Sequence, residues 1–217
     1  MSDIFHEVDE EVRREQLKKL WERYQNYIVA LVLLIIIGVG AWRTYEWWAD
    51  KRAAEMGSAF EAAIALGDQG KHAEAAAAFG KIADQGASGY RSLARMRQAE
   101  ELSQSDPKQA VSAYDQIAAD GSIDAVLRDL AALRAGVMLM DTGSLAEARQ
   151  KLEPLTEPGR SFRHTARELL AFAAWRAGDV AQAKRWLGLI MTDADTPASV
   201  RARGDMLTGL MAAEGKG

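Results

Sequence analysis

The sequence predicts an all-α protein: an N-terminal single transmembrane helix, then an α-solenoid of about four helical hairpins, then a C-terminal capping helix. Three observations carry this expectation. Residues 24–42 are uncharged and mostly aliphatic. One short pattern recurs four times beyond residue 70. Abundant Ala, Leu, Glu, Gln and Arg, with only four prolines, favour helix over strand along nearly the whole chain.

Residues 1–23 read as a cytoplasmic amphipathic tail. Val8, Val12, Leu17, Leu20, Trp21 and Tyr24 recur near helical spacing, with Glu11, Arg14, Glu15, Lys18 and Glu22 opposite them. The acids Asp3, Glu7, Asp9, Glu10, Glu11, Glu15 and Glu22 are unlike the basic leader of a cleaved signal peptide, and a core helix rarely carries so many consecutive aliphatics. The segment that follows is therefore read as a retained anchor.

That anchor is placed at residues 24–48. Its centre is YQNYIVALVLLIIIGVGAW, with Ile28, Leu31, Leu34, Ile37 and Trp42 marking the span. At about 1.5 Å per residue the run covers roughly 28 Å, close to the hydrocarbon thickness of a bilayer. Tyr24, Tyr27, Trp42, Tyr45, Trp47 and Trp48 stand at its two ends, where amphipathic rings prefer the headgroup boundary. Arg13, Arg14, Lys18, Lys19 and Arg23 precede the run and only Arg43, Lys51 and Arg52 follow it closely, which points the N-terminus into the cytoplasm. In a bacterium with two membranes the C-terminal body is then periplasmic, with the anchor in the inner (plasma) membrane. Gly38 and Gly40 are too close together for the GxxxG spacing of helix dimers.

The body, 49–217, is organised by the repeat. Its four copies are GKHAEAAAAFGKI, SDPKQAVSAYDQI, GSLAEARQKLEPL and GDVAQAKRWLGLI. The small residues Ala75, Ala110, Ala148 and Ala183 fall 35, 38 and 35 residues apart. Four positions after each comes Phe79, Tyr114, Leu152 or Leu187, and three further on Ile82, Ile117, Leu155 or Ile190. The small residue lets two helices cross closely, and the bulky ones fill the joint with the next hairpin.

A partner helix precedes each turn, at about 53–68, 89–104, 123–141 and 162–177, giving hairpins at 53–84, 89–119, 123–156 and 162–192. Residues 198–213 supply the cap. Helix starts support this register: Ser144 with Glu147 and Asp179 with Gln182 have capping-box spacing. Asp106 before Pro107 and Thr196 before Pro197 read as N-cap and first-turn pairs.

Over residues 54–195 this pattern resembles a degenerate tetratricopeptide repeat, which keeps the small residue, aromatic and final aliphatic of the second helix while the first helix lacks the usual Trp and Tyr. The whole layout, with LARMRQAEEL from Leu93 to Leu102 in a first helix, is similar to the YfgM family, the ancillary subunit of the bacterial SecYEG translocon. The opening MSDIFHEVDEEVRREQLKKLW resembles its alphaproteobacterial branch. That resemblance implies an inner-membrane protein whose periplasmic repeats associate with translocon subunits, periplasmic chaperones or extended client chains. It brings no catalytic residues.

Little in the chain could carry chemistry. His6, His72 and His164 are too dispersed for a shared metal site, and no cysteine exists to supply a disulfide or thiolate ligand. Walker, dinucleotide and nucleophile-elbow motifs are missing. Glu100 with Glu101 and Asp193 with Asp195 read as solvated acids beside arginines. Charges of both signs are interspersed at a net −4, which leaves no cationic face for nucleic acid. An enzyme, a cofactor, a metal or a small-molecule substrate is not expected.

The function expected instead is that of a membrane-tethered protein-binding adaptor, with an assembly scaffold for a membrane-bound complex such as cytochrome biogenesis as the alternative. A solenoid's first helices line its concave side, where peptides lie. Phe60, Ile64, Leu133, Val137, Phe172 and Trp175 are the candidate apolar groove, and Arg95, Arg128, Arg134 and Arg167 are candidate grips on backbone or acidic groups.

Overall fold

A computed structural model describes residues 3–85, 88–142 and 145–215, with side chains placed from Leu17 onward except Lys19 and Ser88. Its secondary structure there is helical throughout: α1 (Asp3–Asp68), α2 (His72–Gln85), α3 (Ser88–Ser105), α4 (Pro107–Ala119), α5 (Ala125–Asp141), α6 (Leu145–Leu152), α7 (Arg163–Arg176), α8 (Val180–Thr192) and α9 (Ala198–Ala213). The chain divides into two compact units, Met1–Glu55 and Met56–Gly217.

The described residues of the first unit are helix alone. Its apolar stretch buries nothing against protein: Ile28, Leu31, Leu34, Ile37 and Trp42 are all exposed, and a helical window of mean hydropathy 2.1 is wholly unburied. In water such a surface would be strongly unfavourable at roughly 25 cal/mol per Å².

The second unit is a run of antiparallel neighbours, in which each even-numbered helix through α8 packs against the odd-numbered ones beside it. Three core clusters follow one another along the chain. The first joins the end of α1 to α2 and α3 through Ala63, Ala75, Phe79, Ile82 and Ala94. The second joins α3, α4 and α5 through Ala99, Tyr114, Ile117, Ala131 and Ala135. The third spans α5 to α9 and includes Leu133, Leu152, Leu170, Trp186, Leu187, Leu207 and Met211. Each hairpin thus buries its apolar stripe against the next, the arrangement a solenoid requires.

The repeat residues occupy the joints. Ala75, Ala110, Ala148 and Ala183 have no exposed surface, and Phe79, Tyr114, Leu152 and Leu187 are buried beside them. Opposite Leu152 stands Gly136 of α5, where a Cβ would come within 2.6 Å of the leucine's Cδ2. A larger residue there would have to displace Leu152, which fills the space the glycine leaves.

Turn chemistry sets the helix ends. Asp106 and Asp179 cap α4 and α8 by accepting the backbone N–H of Gln109 and Gln182 at 3.1 and 3.0 Å. Gly70 and Gly178 turn the chain at φ of 74° and 76°, in the left-handed region that glycine adopts freely. Pro154 supplies no N–H, and α6 gives way there to a 3-10 turn over Glu153–Thr156. The capping role expected of Ser144 lies outside the described residues. Thr196 is a correction: Pro197 holds the N-cap position of α9 without a side-chain cap, and Thr196 is buried with its hydroxyl 3.1 Å from His164 Nδ1.

Candidate protein-interaction face

The face of interest is built on the odd-numbered helices. In α7, RHTARELLAFAAWR, one side packs inward through Ala166, Leu170, Ala171 and Ala173. Phe172 and Trp175 follow at i,i+3 spacing on the adjoining side and remain half-buried. Their rings meet edge to face, centroids 6.4 Å apart at 67°. Trp175 Nε1 donates to Glu214 Oε2 at 3.2 Å, and Arg176 Nη1 donates to the Met140 carbonyl at 3.2 Å, tying α7 to the end of α9 and to α5. Val137 of α5 is also half-buried. Leu133 lies beneath, buried at 8% exposure in the same core cluster as Phe172 and Trp175, so its side chain presents nothing to a ligand.

Phe60 and Ile64 lie elsewhere, in the first core cluster. Phe60 packs edge-on to Phe79 and Tyr90 at 5.1 and 6.1 Å between centroids, half-buried rather than open. Beside them an alanine-rich groove of about 590 Å³ runs between the end of α1 and α2, lined by Met56, Ala59, Leu66, Ala77 and Ile82, with Glu74 and Lys81 for polar groups.

The arginines expected to grip a ligand are mostly engaged. Arg95 Nη1 pairs with Asp120 Oδ2 at 2.5 Å, and the Ser122 hydroxyl together with this contact lowers the Asp120 carboxyl to about 2. Arg167 is buried and donates to Asp193 Oδ2 at 2.7 Å and to the Thr156 carbonyl at 3.1 Å. Arg163 adds bonds to Asp193 and Asp195 at 3.3 and 2.8 Å, and Arg201 donates to the Asp193 carbonyl at 3.2 Å. Arg163 and Arg167 hold the Asp193 carboxyl far below the usual range. This clasp joins the end of the third hairpin, α7, α8 and α9. Arg128 keeps its Nε buried, and Arg134 alone of the four expected grips is exposed.

Glu101 is a second correction to the sequence expectation of surface acids. It is 8% exposed and lies 2.8 Å from His72 Nδ1, joining the start of α2 to α3. Gly67 makes the space, since a Cβ there would sit 2.6 Å from Glu101 Oε1. Glu100, in contrast, forms a half-exposed pair with Arg97 at 2.9 Å.

A family described as "Tetratricopeptide repeat-like domain" matches residues 18–186. The chain belongs to that family. Two solved structures of nearly identical tetratricopeptide-like repeats from a Podosopora anserina putative kinesin light chain, one of them a point variant, share its fold. They superimpose with TM-scores of 0.53 for the variant and 0.52 for the other, at 18% identity, over 73% of this chain and 89% of theirs. No curated protein matches the chain.

The family supplies a reading of the face. Tetratricopeptide-like repeats typically act as non-catalytic scaffolds that bind other proteins, and their first helices line the inner side. Of the residues expected in the groove, Phe60 and Ile64 at the end of α1, Val137 on α5, and Phe172 and Trp175 on α7 are half-buried. Sequence reasoning missed the Asp193 clasp and the partly buried His72–Glu101 pair. The signal available for the clasp was the cluster of Arg163, Arg167 and Arg201 around two acids in one loop.

Proposed function

We propose that this protein is a membrane-tethered adaptor: residues 24–48 anchor it, and the odd-helix face of its repeats binds polypeptide partners. The observation that carries the reading is the pairing of one wholly exposed apolar stretch of helix, long enough to cross a bilayer, with a repeat body whose fold serves protein binding. The family match begins at residue 18 and so includes the whole apolar run, which supports a retained anchor over a removable leader. Tethering confines the repeats to the membrane surface and raises their effective concentration beside a membrane complex.

In its finer form the adaptor is an ancillary translocon subunit, working with chaperones that receive secreted chains, and the body is periplasmic. The similarity of layout to the YfgM family and the excess of Lys and Arg before the span support it. The natural absence of cysteine makes the topology directly testable. In intact cells, a Lys108→Cys variant should react with a membrane-impermeant maleimide and a Lys18→Cys variant should react only after permeabilisation. The opposite pattern refutes the orientation. Release of the protein by alkaline carbonate refutes the anchor.

A further inference from the structure

Beyond the apolar run, α1 carries a compact aromatic and cationic cluster. Trp47 and Trp48 are 64% and 50% exposed. Lys51 Nζ lies 5.6 Å from the Trp47 ring centroid and Arg52 Cζ lies 5.1 Å from that of Trp48. Both pairs are i,i+4, so two cations are laid over two neighbouring rings on one face of the helix. Arg43, nearer the apolar run, is already paired with Glu46 at 3.0 Å. Asp50 and Glu55 flank the cluster.

Helix geometry sets the depth of these charges. Lys51 lies nine residues past Trp42, about 13 Å along the axis at about 1.5 Å per residue. Helical side chains lean toward the N-terminus, which here is back toward the apolar run, and both cation–ring contacts to the preceding turn have that direction. The lean returns each charge by up to about one turn, roughly 5 Å, to about 8 Å beyond Trp42 for Lys51 and about 10 Å for Arg52. The headgroup layer of each leaflet is about 5–7 Å thick, so with Trp42 at the hydrocarbon boundary the indoles lie within that layer and the cations stand at its outer edge, beside the headgroups.

We propose that Trp47, Trp48, Lys51 and Arg52 form a binding site for anionic phospholipid headgroups on the body side of the membrane. The proposal rests on the anchor reading and names the lipid class this end of the anchor prefers. The rings hold the cations in place, and their pairing with lipid phosphate fixes the depth at which the helix leaves the bilayer.

The test uses the full chain reconstituted in phosphatidylcholine vesicles carrying trace spin-labelled phosphatidylglycerol or spin-labelled phosphatidylcholine. Electron spin resonance reads the fraction of each label immobilised by the protein. The wild type should favour phosphatidylglycerol, and a Lys51→Gln/Arg52→Gln double variant should lower that preference roughly two- to fivefold. A Lys71→Gln/Lys81→Gln control in the repeat body should leave it unchanged. An immobilised lipid shell with the same preference in wild type and the Lys51/Arg52 variant overturns the site and leaves the anchor standing. No immobilised lipid for either label overturns the anchor, and the site with it.

Discussion

Replacing Phe79 by alanine separates a solenoid from a single cooperative globule. The Phe79 ring has no exposed surface, meets Phe60 edge-on at 5.1 Å and lies under the Arg97 guanidinium at 6.0 Å. Truncating a buried phenylalanine costs about 3–5 kcal/mol in lost transfer energy and residual cavity. The first core cluster includes Ala63, Ala75, Ile82 and Ala94, mostly small side chains that cannot close around the void. In a repeat array each hairpin is stabilised only by its neighbours, so the loss should stay in the first hairpin and α3. Hydrogen exchange of the full chain in detergent should show amides of α2 losing roughly 10²–10⁴-fold in protection, with those of α7 and α8 unchanged. Equal loss in α7 and α8 would refute the neighbour-only argument, and no loss in α2 would refute the packing.

Gly178→Ala should lower stability by about 1–2 kcal/mol, because an L-residue is forced to φ of 76° at a turn where nothing crowds a new Cβ; urea denaturation in detergent measures it. Arg167→Met should cost about 3 kcal/mol in the same assay, since it removes the buried centre of the Asp193 clasp and leaves the Thr156 carbonyl unpartnered. Acid should act in two windows. His164 is shifted below its ordinary value by burial and the adjacent Arg163, so the unfolded chain takes up a proton near pH 6.5 that the folded chain resists, and stability should begin to fall as pH drops through that value. Asp120, held at about 2, contributes fully above about pH 4 and loses its contribution as pH falls toward 2; Asp120→Asn should flatten the curve in that lower window alone.

What the sequence made legible was what repeats locally. The small–large–aliphatic order placed Ala75, Ala110, Ala148 and Ala183 at the crossings because any residue at a close helix joint must be small, whatever lies across it. The helices α3, α5, α7 and α9 begin and end within two residues of the pattern-based limits, since Pro, Gly and capping Asp act within one turn. Contacts at long sequence separation were not legible. Arg167 looked free to grip a ligand because its partner Asp193 lies 26 residues away in another loop. Glu101 looked solvated because the space that buries it is made by Gly67 on α1. Leu133 was assigned to a groove, yet α5 is packed on most of its circumference, with Ala131, Leu133, Ala135 and Gly136 all buried.

The central claim, that the odd-helix face binds polypeptide while the chain is tethered, is tested most directly by photo-crosslinking in cells. Probes replace Val137, Phe172 and Trp175, with Gln116, exposed on α4, as a control, and the captured proteins are identified by mass spectrometry. Translocon subunits, periplasmic chaperones or secretory chains captured from the three face positions and not from Gln116 are the expected result. Capture that is equal at Gln116, or missing from all three face positions, would contradict the account.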